Sequence, residues 1–347
     1  MSSVKNLHVL FPEKFFFDYI PFVNNNFNPS DHLFLYTRKK GKEPIADNVK
    51  FIRFYRWGLL FYWELYRYAN SSDKIILHSL SKNKVIWFLF LFKKFRKKSY
   101  WCLWGGDLYY RTEEYSKPFY NPLSYFIFKN VVKDLGGIVT HVQGDVKLAS
   151  KWFGFHGKHI DCFLYPSNLF KPMNLKSKTE ETIFIQIGNS AHRSNNHIDA
   201  IDSISYLAND NVSILCPLSY GDDKNAQRVI QHGKKVFGDR FIPLTDFMPF
   251  EKYIEFLSKI DIAIFNHWRQ QGLGNIITLL GLGKTVYLRD DITTWSMLMD
   301  KGIHVRSFNT SSRIEKLSEQ EALRNISKIK EYFSLKMLIQ QSAEVFS

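Results

Sequence analysis

Residues 260–281 read IDIAIFNHWRQQGLGNIITLLG, and this stretch decides how the second half of the chain folds. The apolar run 260–265 is typical of a buried parallel strand, and the apolar segment that follows the loop predicts a helix packed on the same sheet. The loop thus lies where a strand ends and a helix begins. Free backbone N–H groups and the helix dipole attract anions there, phosphates above all, although the pattern also fits a loop that only ends a strand.

The side chains of this loop fit a phosphate site. Gly272 and Gly274 would let a phosphate approach the backbone closely. The candidate donors to phosphate oxygens or sugar hydroxyls are Arg269, Gln270, Gln271 and Asn275.

A second strand, loop and helix follow each other at residues 182–207. The strand 182–187 runs into a small polar loop, whose candidate phosphate contacts are Gly188, Asn189, Ser190 and Arg193. Ser194 or Asn195 could instead simply cap the next helix. Two such loops in one half of the chain favour a diphosphate ligand. Tyr220 follows the next strand and is placed to stack on a base or sugar, although most such tyrosines only pack.

The first half also alternates strands and helices, which predicts a parallel, doubly wound sheet. The predicted strands are 6–11, 32–36, 49–54, 74–78, 99–104, 138–142 and 162–165. Ligands of such sheets bind beyond the carboxyl ends of the strands. His78 ends the fourth strand, and Asp107 follows the fifth in a Gly-Gly turn. Asp107 fits a general base or an acceptor for a sugar hydroxyl, and it equally fits a helix cap.

Length and composition limit the possible classes. The chain of 347 residues suits two domains, and we expect them at 1–168 and 169–330, with a polar linker near 166–181. The C-terminal helix, about 330–347, is a candidate to pack back on the first domain. The net charge of +14 points to nucleic acid, an anionic membrane face or a polyphosphate as partner. Three scattered cysteines suggest a reducing compartment.

The sequence predicts a cytoplasmic protein, either soluble or peripheral on a membrane. The N-terminus lacks the apolar core of a signal peptide, and the longest apolar run, 85–92, is too short to span a bilayer. That run is followed by a basic cluster, so the segment fits either a buried helix with cations in its last turn or a face lying on anionic lipid. The candidate membrane-surface residues are Trp87, Lys93, Lys94, Arg96, Lys97 and Lys98.

Three blocks of the sequence together resemble one family. They are WGGDLY at 104–109, GNSAHRSNNH at 188–197 and RQQGLG at 269–274, and they are similar to the TDP-N-acetylfucosamine:lipid II N-acetylfucosaminyltransferase family (4-alpha-L-fucosyltransferases, glycosyltransferase family 56). The chain departs from the family pattern at Gly106, Asn196, His267 and Trp268. The resemblance implies a GT-B type α/β fold, in which two doubly wound Rossmann-like domains face a cleft. It also implies an acceptor site at Trp104, Gly105 and Gly106.

The implied reaction moves 4-acetamido-4,6-dideoxygalactose from a TDP-sugar to a saccharide on undecaprenyl diphosphate, at the cytoplasmic face of the bacterial inner membrane. Such a reaction serves enterobacterial common antigen or O-antigen synthesis. We expect no metal cofactor, because no Asp-x-Asp follows a strand. The expected catalytic residues are Asp107 and His78. Two alternatives stay open: a GT-B transferase that uses another nucleotide sugar, and, more distantly, a nucleic-acid-binding protein.

Overall fold

The computed structural model describes residues 4–13, 15–38, 46–53, 59–112, 114, 121–172, 181–309 and 313–347. The chain divides into two compact units. Unit 1 comprises Met1–Leu169 together with Leu335–Ser347, and unit 2 comprises Phe170–Ser334. The predicted class, two parallel sheets with helices, is confirmed.

Unit 1 is built on a parallel sheet that has seven strands in the described part of the chain. The strands are β1 (Val4–Leu10), β2 (His32–Arg38), β3 (Val49–Arg53), β4 (Ser72–His78), β5 (Ser99–Cys102), β6 (Gly137–Val139) and β7 (Lys158–Ile160). Their order is β3-β2-β1-β4-β5-β6-β7, so the winding reverses between β1 and β4. Ligands of doubly wound sheets bind at such a reversal point.

The helices of unit 1 before the second unit are α1 (Phe16–Asn26), α2 (Leu59–Asn70), α3 (Asn83–Leu91), α4 (Gly106–Tyr109), α5 (Pro122–Val132) and α6 (Gln143–Phe153). Right-handed crossovers place α2, α3, α5 and α6 on one face of the sheet, where their apolar sides share one core. Asn121 caps α5, with its side chain accepting from the Ser124 N–H, and Pro122 occupies the first turn.

Two predictions for unit 1 were wrong. Residues 162–165 do not form the last strand, because Leu164 has a φ of 63° that breaks the extended backbone, and β7 lies just before them. The segment Lys93–Lys98 is a separate 3-10 turn and does not continue α3. The last residue of the predicted strand 49–54 lies outside the described residues.

Unit 2 contains a second parallel sheet, with six strands in the part that the structure describes. The strands are β8 (Ile183–Ile187), β9 (Val212–Pro217), β10 (Phe241–Leu244), β11 (Ile262–Phe265), β12 (Thr285–Leu288) and β13 (Arg306–Ser307). The order β10-β9-β8-β11-β12-β13 places the reversal point between β8 and β11. The two loops singled out in the sequence follow these two strands.

The helices of unit 2 are α7 (His197–Ser203), α8 (Asp223–Phe237), α9 (Phe250–Lys259), α10 (Leu273–Gly281), α11 (Thr293–Asp300) and α12 (Glu319–Tyr332). The last helix, α13 (Leu335–Phe346), belongs to unit 1. Two main-chain carbonyls near its end accept hydrogen bonds from that unit, Phe346 from Asn6 Nδ2 at 3.2 Å and Val345 from Lys74 Nζ at 2.8 Å. Among the described helices, none is both long and apolar enough to traverse a lipid bilayer.

Candidate functional site

The loops after β8 and β11 lie side by side at the reversal point of the unit 2 sheet. The strands are paired in register, with Ile264 beside Ile187, and the Gly188 N–H continues the ladder by donating to the Ile264 carbonyl at 2.9 Å. Farther out, the Trp268 N–H donates to the Ser194 carbonyl at 3.3 Å. The two loops are therefore one structural unit, built at the edge where ligands of such sheets bind.

Asn195 is the polar centre of this unit and is fully buried. Its side-chain oxygen accepts from the Asn189 N–H at 3.0 Å and from His267 Nε2 at 2.8 Å. Its amide nitrogen donates to Ser190 Oγ and to the His192 carbonyl, both at 3.1 Å. All four hydrogen-bonding positions of the amide are thus used, and one side chain holds both loops in place.

Gly188 occupies a position that only glycine fits. Its φ is 66°, and an added Cβ would lie 2.7 Å from His197 Nε2 and 2.8 Å from the side-chain oxygen of Asn195. The left-handed backbone directs the chain away from the strand while the polar cluster fills the space beside it. The packing of the polar cluster against this turn therefore requires glycine here.

Helix α10 begins directly after the second loop and offers its amino end to a ligand. Gly272, at a φ of 67°, precedes its first residue, and no side chain of the described residues caps it. The first N–H groups of a helix have no partner within the helix, and residues 273–275 are partly exposed. The amino end of α10 therefore has the features of an anion site, and its role as one stays a prediction.

The charge around this end of α10 is positive. Arg269 is largely buried, and its guanidinium donates to the Gln270 carbonyl at 2.8 Å, which fixes its direction. Burial, followed by the nearby Arg269 and His197, lowers the pKa of His267 to about 3. His267 is therefore neutral at pH 7 and serves as a hydrogen-bond donor to Asn195, while Arg269 carries the charge.

Other residues predicted to bind the donor sugar nucleotide have three kinds of surroundings. Gln271 joins the shared network, accepting from Ser194 Oγ at 2.6 Å and donating to Asn189 Oδ1 at 3.3 Å, and Asn189 in turn donates to the Tyr220 hydroxyl at 3.1 Å. Arg193 instead lies at the surface in an ion pair with Asp222, at 2.9 Å. The Asn275 side chain accepts from the Tyr253 hydroxyl at 2.8 Å. The network brings Asn189, Tyr220 and Gln271 together, and Arg193 would have to leave Asp222 to reach a ligand.

In unit 1, Asp107 holds its own loop together. Its carboxylate is buried and accepts three N–H groups, from Leu80 at 2.9 Å, from Trp101 Nε1 at 2.7 Å and from Trp104 at 3.0 Å. Gly105 makes the turn before it at a φ of 82°. These contacts tie the loop after β5 to the loop after β4. Asp107 therefore positions these two loops, and its catalytic role stays a prediction.

His78 lies inside a chain of buried hydrogen bonds. The indole N–H of Trp104 donates to the Tyr165 hydroxyl at 2.9 Å, and that hydroxyl lies 2.7 Å from His78 Nδ1. The chain continues from His78 Nε2 to His8 at 3.2 Å and from His8 to His32 at 3.0 Å. Because the Tyr165 hydroxyl accepts from Trp104 and still has its own O–H to donate, His78 Nδ1 accepts that hydrogen bond, and His78 Nε2 carries the hydrogen donated to His8. The role of His78 as a catalytic residue also stays a prediction.

An exposed carboxylate follows β1, one of the two strands at the reversal point of the unit 1 sheet. Glu13 is in the loop between β1 and α1, and its side chain is exposed to solvent. Phe15, two residues later, packs its ring 4.9 Å from that of Trp104. The loop after β1 and the predicted acceptor loop Trp104, Gly105 and Gly106 are therefore neighbours. Sequence reasoning passed over Glu13 because the sequence does not show the strand order, and only that order places β1 at the reversal point.

The predicted membrane-surface residues do not all reach the surface. Arg96 is buried, contrary to prediction, and donates to three main-chain carbonyls at the ends of α3 and α5 and to Asp134 at 2.9 Å. Lys98 turns inward to the Ser72 carbonyl. Trp87, Lys93, Lys94 and Lys97 are exposed.

Comparison with known proteins identifies the family. A family model described as 4-alpha-L-fucosyltransferase, glycosyl transferase group 56, matches residues 65–340, well over half of the chain. The chain belongs to this family. The family predicted from the three sequence blocks is thereby confirmed, and the protein is a glycosyltransferase.

Solved structures show the fold of this family 56 transferase. Anabaena HepE in complex with UDP and glucose has 13% sequence identity and a TM-score of 0.69, with 99% of each chain covered. A glycosyltransferase of Rickettsia africae has 12% identity and a TM-score of 0.68, covering 100% of this chain and 98% of that one. WaaG, a glycosyltransferase of lipopolysaccharide biosynthesis, has 11% identity and a TM-score of 0.62, with 99% of each chain covered. The fold is that of the GT-B glycosyltransferases.

Sequence reasoning missed the two residues that organise the loops after β8 and β11 of the transferase. Asn195 was considered as a helix cap and as part of a family block, and His267 as a departure from the family pattern. A polar side chain inside each loop could have pointed to them, because the backbone groups of a buried loop need side chains as hydrogen-bond partners. Asn196, another departure, adopts a φ of 50°, a left-handed conformation that asparagine tolerates better than most residues.

Proposed function

We propose that this transferase moves a 4-acetamido-4,6-dideoxyhexose, similar to N-acetylfucosamine, from a TDP-sugar to a saccharide on undecaprenyl diphosphate. The product would serve enterobacterial common antigen or O-antigen synthesis. The family supports a deoxysugar donor, since its description names a fucosyltransferase. The sequence blocks shared with the TDP-N-acetylfucosamine enzymes support the finer assignment.

The observation that carries the proposal is the pair of loops at the reversal point of the unit 2 sheet. There the uncapped start of α10 presents N–H groups, and the Arg269 guanidinium supplies positive charge beside it. The donor diphosphate binds to these groups. As the sugar leaves, negative charge builds on the TDP oxygens, and fixed amides and a guanidinium stabilise it without needing to reorganise.

Binding of nucleotides tests this site. We expect TDP to raise the melting temperature of the protein more than UDP or GDP at equal concentration, because a ligand that binds only the folded state stabilises it. Arg269→Ala and Gln271→Ala should each weaken TDP binding at least tenfold, while Arg228→Ala, an exposed arginine on α8, should not. If Arg269→Ala and Gln271→Ala bind TDP as tightly as Arg228→Ala does, the proposed site is wrong.

A UDP-sugar is the second candidate donor. It is supported by Anabaena HepE, a structural neighbour described in complex with UDP and glucose and with UDP-glucose. A greater thermal shift with UDP than with TDP would favour it. Transfer assays with a panel of TDP- and UDP-sugars and a synthetic lipid-linked acceptor would then identify the sugar.

We also propose that the reaction needs no metal ion, because Arg269 and the amino end of α10 supply positive charge where the diphosphate binds. Activity should survive dialysis against a chelator. Loss of activity that returns on adding a divalent cation would contradict this part of the proposal alone.

The acceptor binds to unit 1, at the loops after β1 and β5. We propose Glu13 as the base that takes the proton of the acceptor hydroxyl, because it is an exposed carboxylate at the reversal point, whereas the Asp107 carboxylate is occupied by three donors. Glu13→Gln should lower kcat by about 10²- to 10⁴-fold and leave folding intact. If Glu13→Gln keeps full activity, and a folded Asp107→Asn loses it, Asp107 is the base as first predicted.

The proposed acceptor is a lipid-linked saccharide, which a membrane would anchor. We propose that it works as a peripheral protein on the cytoplasmic face of the inner membrane, where an undecaprenyl-linked saccharide is anchored. Fractionation of cells should recover it with the inner membrane at low salt.

A further inference from the structure

Three neighbouring helices of unit 1 expose large apolar side chains on their outer sides. Each helix buries its opposite side in the core of unit 1. The exposed side chains are Leu59, Leu60 and Trp63 on α2, Trp87 and Leu91 on α3, and Leu123 and Phe126 on α5, with 40–82% of each residue accessible. Soluble proteins rarely concentrate exposed apolar groups in this way unless the surface binds something.

The three helices form one continuous surface, here called the apolar face. The ring of Tyr66 on α2 lies 5.2 Å from that of Phe92, at the end of α3. At their amino ends, α3 and α5 are joined by Arg111, which donates to Asn83 Oδ1 at 3.1 Å and to Ser124 Oγ at 3.3 Å. At their carboxyl ends, Arg96 donates to carbonyls of both helices. The apolar side chains are therefore neighbours on a rigid surface.

The charge of this surface is almost entirely positive. Within α2, α3, the turn Lys93–Lys98 and α5, the only acidic residue is Glu64, while the basic residues are Arg67, Lys84, Lys93, Lys94, Arg96, Lys97, Lys98 and Lys129. Four of these lysines, Lys93, Lys94, Lys97 and Lys129, are exposed. A surface that combines exposed apolar and aromatic side chains with exposed lysines matches a bilayer that has anionic headgroups.

A second copy of the chain fits the apolar face poorly. In a two-fold dimer, the same patch meets itself, so the exposed lysines of both copies would be brought together. Those helices carry one carboxylate with which to compensate them, Glu64. An anionic lipid surface instead supplies the missing negative charge and accepts the apolar side chains at the same time.

We infer that the apolar face of α2, α3 and α5 docks on an anionic lipid bilayer. This deepens the proposed function, on which it rests for the position of the acceptor. Helices that follow parallel strands begin near the carboxyl ends of those strands, so Leu59, Leu60, Leu123 and Phe126 lie toward the edge that carries Glu13 and the Trp104 loop. Docking brings that edge to the membrane that holds the lipid-linked saccharide.

Vesicle binding of the full chain tests the inference without any substrate. Wild-type protein should co-sediment with phosphatidylglycerol–phosphatidylethanolamine vesicles and much less with phosphatidylcholine vesicles. The apolar variant Trp63→Ser/Leu123→Ser/Phe126→Ser and the charge variant Lys93→Gln/Lys94→Gln/Lys97→Gln/Lys129→Gln should each lower the partition coefficient at least about tenfold. The loss caused by the charge variant should shrink at high salt, and that of the apolar variant should persist.

Matched controls come from unit 2. Leu323→Ser and Met299→Ser replace exposed apolar residues there, and Lys224→Gln/Lys234→Gln/Lys235→Gln removes exposed charge from α8; all should bind vesicles as the wild type does. Unchanged binding by both test variants overturns the inference. So does a wild-type dimer in light scattering that the apolar variant makes monomeric. Transfer to a water-soluble acceptor measures the proposed function separately, and the test variants should retain it.

Discussion

Single buried polar residues hold the loops of both units. Asn195 does so in unit 2 by using all four hydrogen bonds of its amide, and Asp107 does so in unit 1 by accepting three N–H groups. Loops at the end of a sheet have backbone groups that no ladder satisfies, so a side chain must do it. Replacing such a residue is costly because it leaves several buried hydrogen-bonding groups unpaired at once.

The first residue-scale prediction concerns Asp107. Asp107→Asn keeps the shape but turns an N–H₂ group toward N–H donors, so at least one of the three hydrogen bonds is lost. We expect the free energy of unfolding of unit 1 to fall by about 1–3 kcal/mol, measured by chemical denaturation. The matched change at the exposed Asp73, Asp73→Asn, should stay within about 0.5 kcal/mol. A stable Asp107→Asn protein would show that the hydrogen bonds are not what holds the loop.

The second residue-scale prediction concerns pH. Burial lowers the pKa of His78 to about 3 and that of His32 to about 4, and burial together with the other two histidines lowers the pKa of His8 well below its usual value. In the unfolded chain, these groups titrate near pH 6.5. The unfolded state therefore binds more protons than the folded state below pH 6.5, so stability falls as the pH drops from about 6.5 toward 4.

Each such histidine contributes a slope of about 1.4 kcal/mol per pH unit in that range. The measurement is the free energy of unfolding of unit 1 between pH 7 and 4. Replacing His32, at the end of the chain of hydrogen bonds, by Gln should lower the slope. The same slope in His32→Gln would mean that other groups cause the acid sensitivity.

The loops after β8 and β11 each depend on a glycine turn between strand and helix. After β8 the chain turns at Gly188, and after β11 it turns at Gly272 into the amino end of α10. Both glycines have left-handed backbones and adjoin side chains of the polar cluster. The turn, the packing and the exposed N–H groups are consequently features of one element and cannot be changed independently.

The prediction at the element scale compares two glycines with the same φ of 66°, Gly188 and Gly302. An added Cβ at Gly302 meets nothing within 4 Å, so Gly302→Ala should cost only the left-handed backbone, about 1–2 kcal/mol. Gly188→Ala carries the same cost and also displaces His197 and Asn195. We expect it to lower stability further and to weaken TDP binding, by thermal shift and calorimetry, while Gly302→Ala binds TDP normally. If both variants bind TDP equally well, the turn at Gly188 does not contribute to TDP binding.

At the scale of the whole molecule, the chain passes through unit 2 and returns to unit 1 with α13. The buried residues of α13 include Leu338, Val345 and Phe346, and the Phe346 ring lies 4.6 Å from that of His32. The C-terminal helix is therefore part of the core that surrounds the histidine chain. The boundary of unit 1 in sequence is discontinuous as a result.

The whole-molecule prediction is that removing Leu335–Ser347 destabilises unit 1 and not unit 2. Each fully buried apolar side chain contributes about 1.5–3 kcal/mol, so the loss should amount to several kcal/mol. Hydrogen exchange can follow the two units separately: protection should fall in β1 and β2, whereas β8 and β11 should be unchanged. Equal loss in both units would show that they do not unfold independently.

Much of the fold was predictable because strands and helices leave local signals. Short apolar runs followed by polar, Gly-containing loops indicated the two parallel sheets and the loops after β8 and β11. Three sequence blocks indicated the family. Errors arose where the local pattern was ambiguous. Residues 162–165 are as apolar as a strand but are buried without pairing, and the cationic run 93–98 hides Arg96, which turns inward to carbonyls of α3 and α5.

The sequence by itself determined the α/β class, the positions of the loops after β8 and β11, and the membership of a fucosyltransferase family, because periodicity and motifs are properties of neighbouring residues. Only the tertiary structure decided which strands lie side by side, that Asn195 contacts His267, 72 residues away in the chain, and that α2, α3 and α5 share one apolar face. Those facts depend on the order of the strands, which is set by packing between segments distant in sequence and leaves no local pattern.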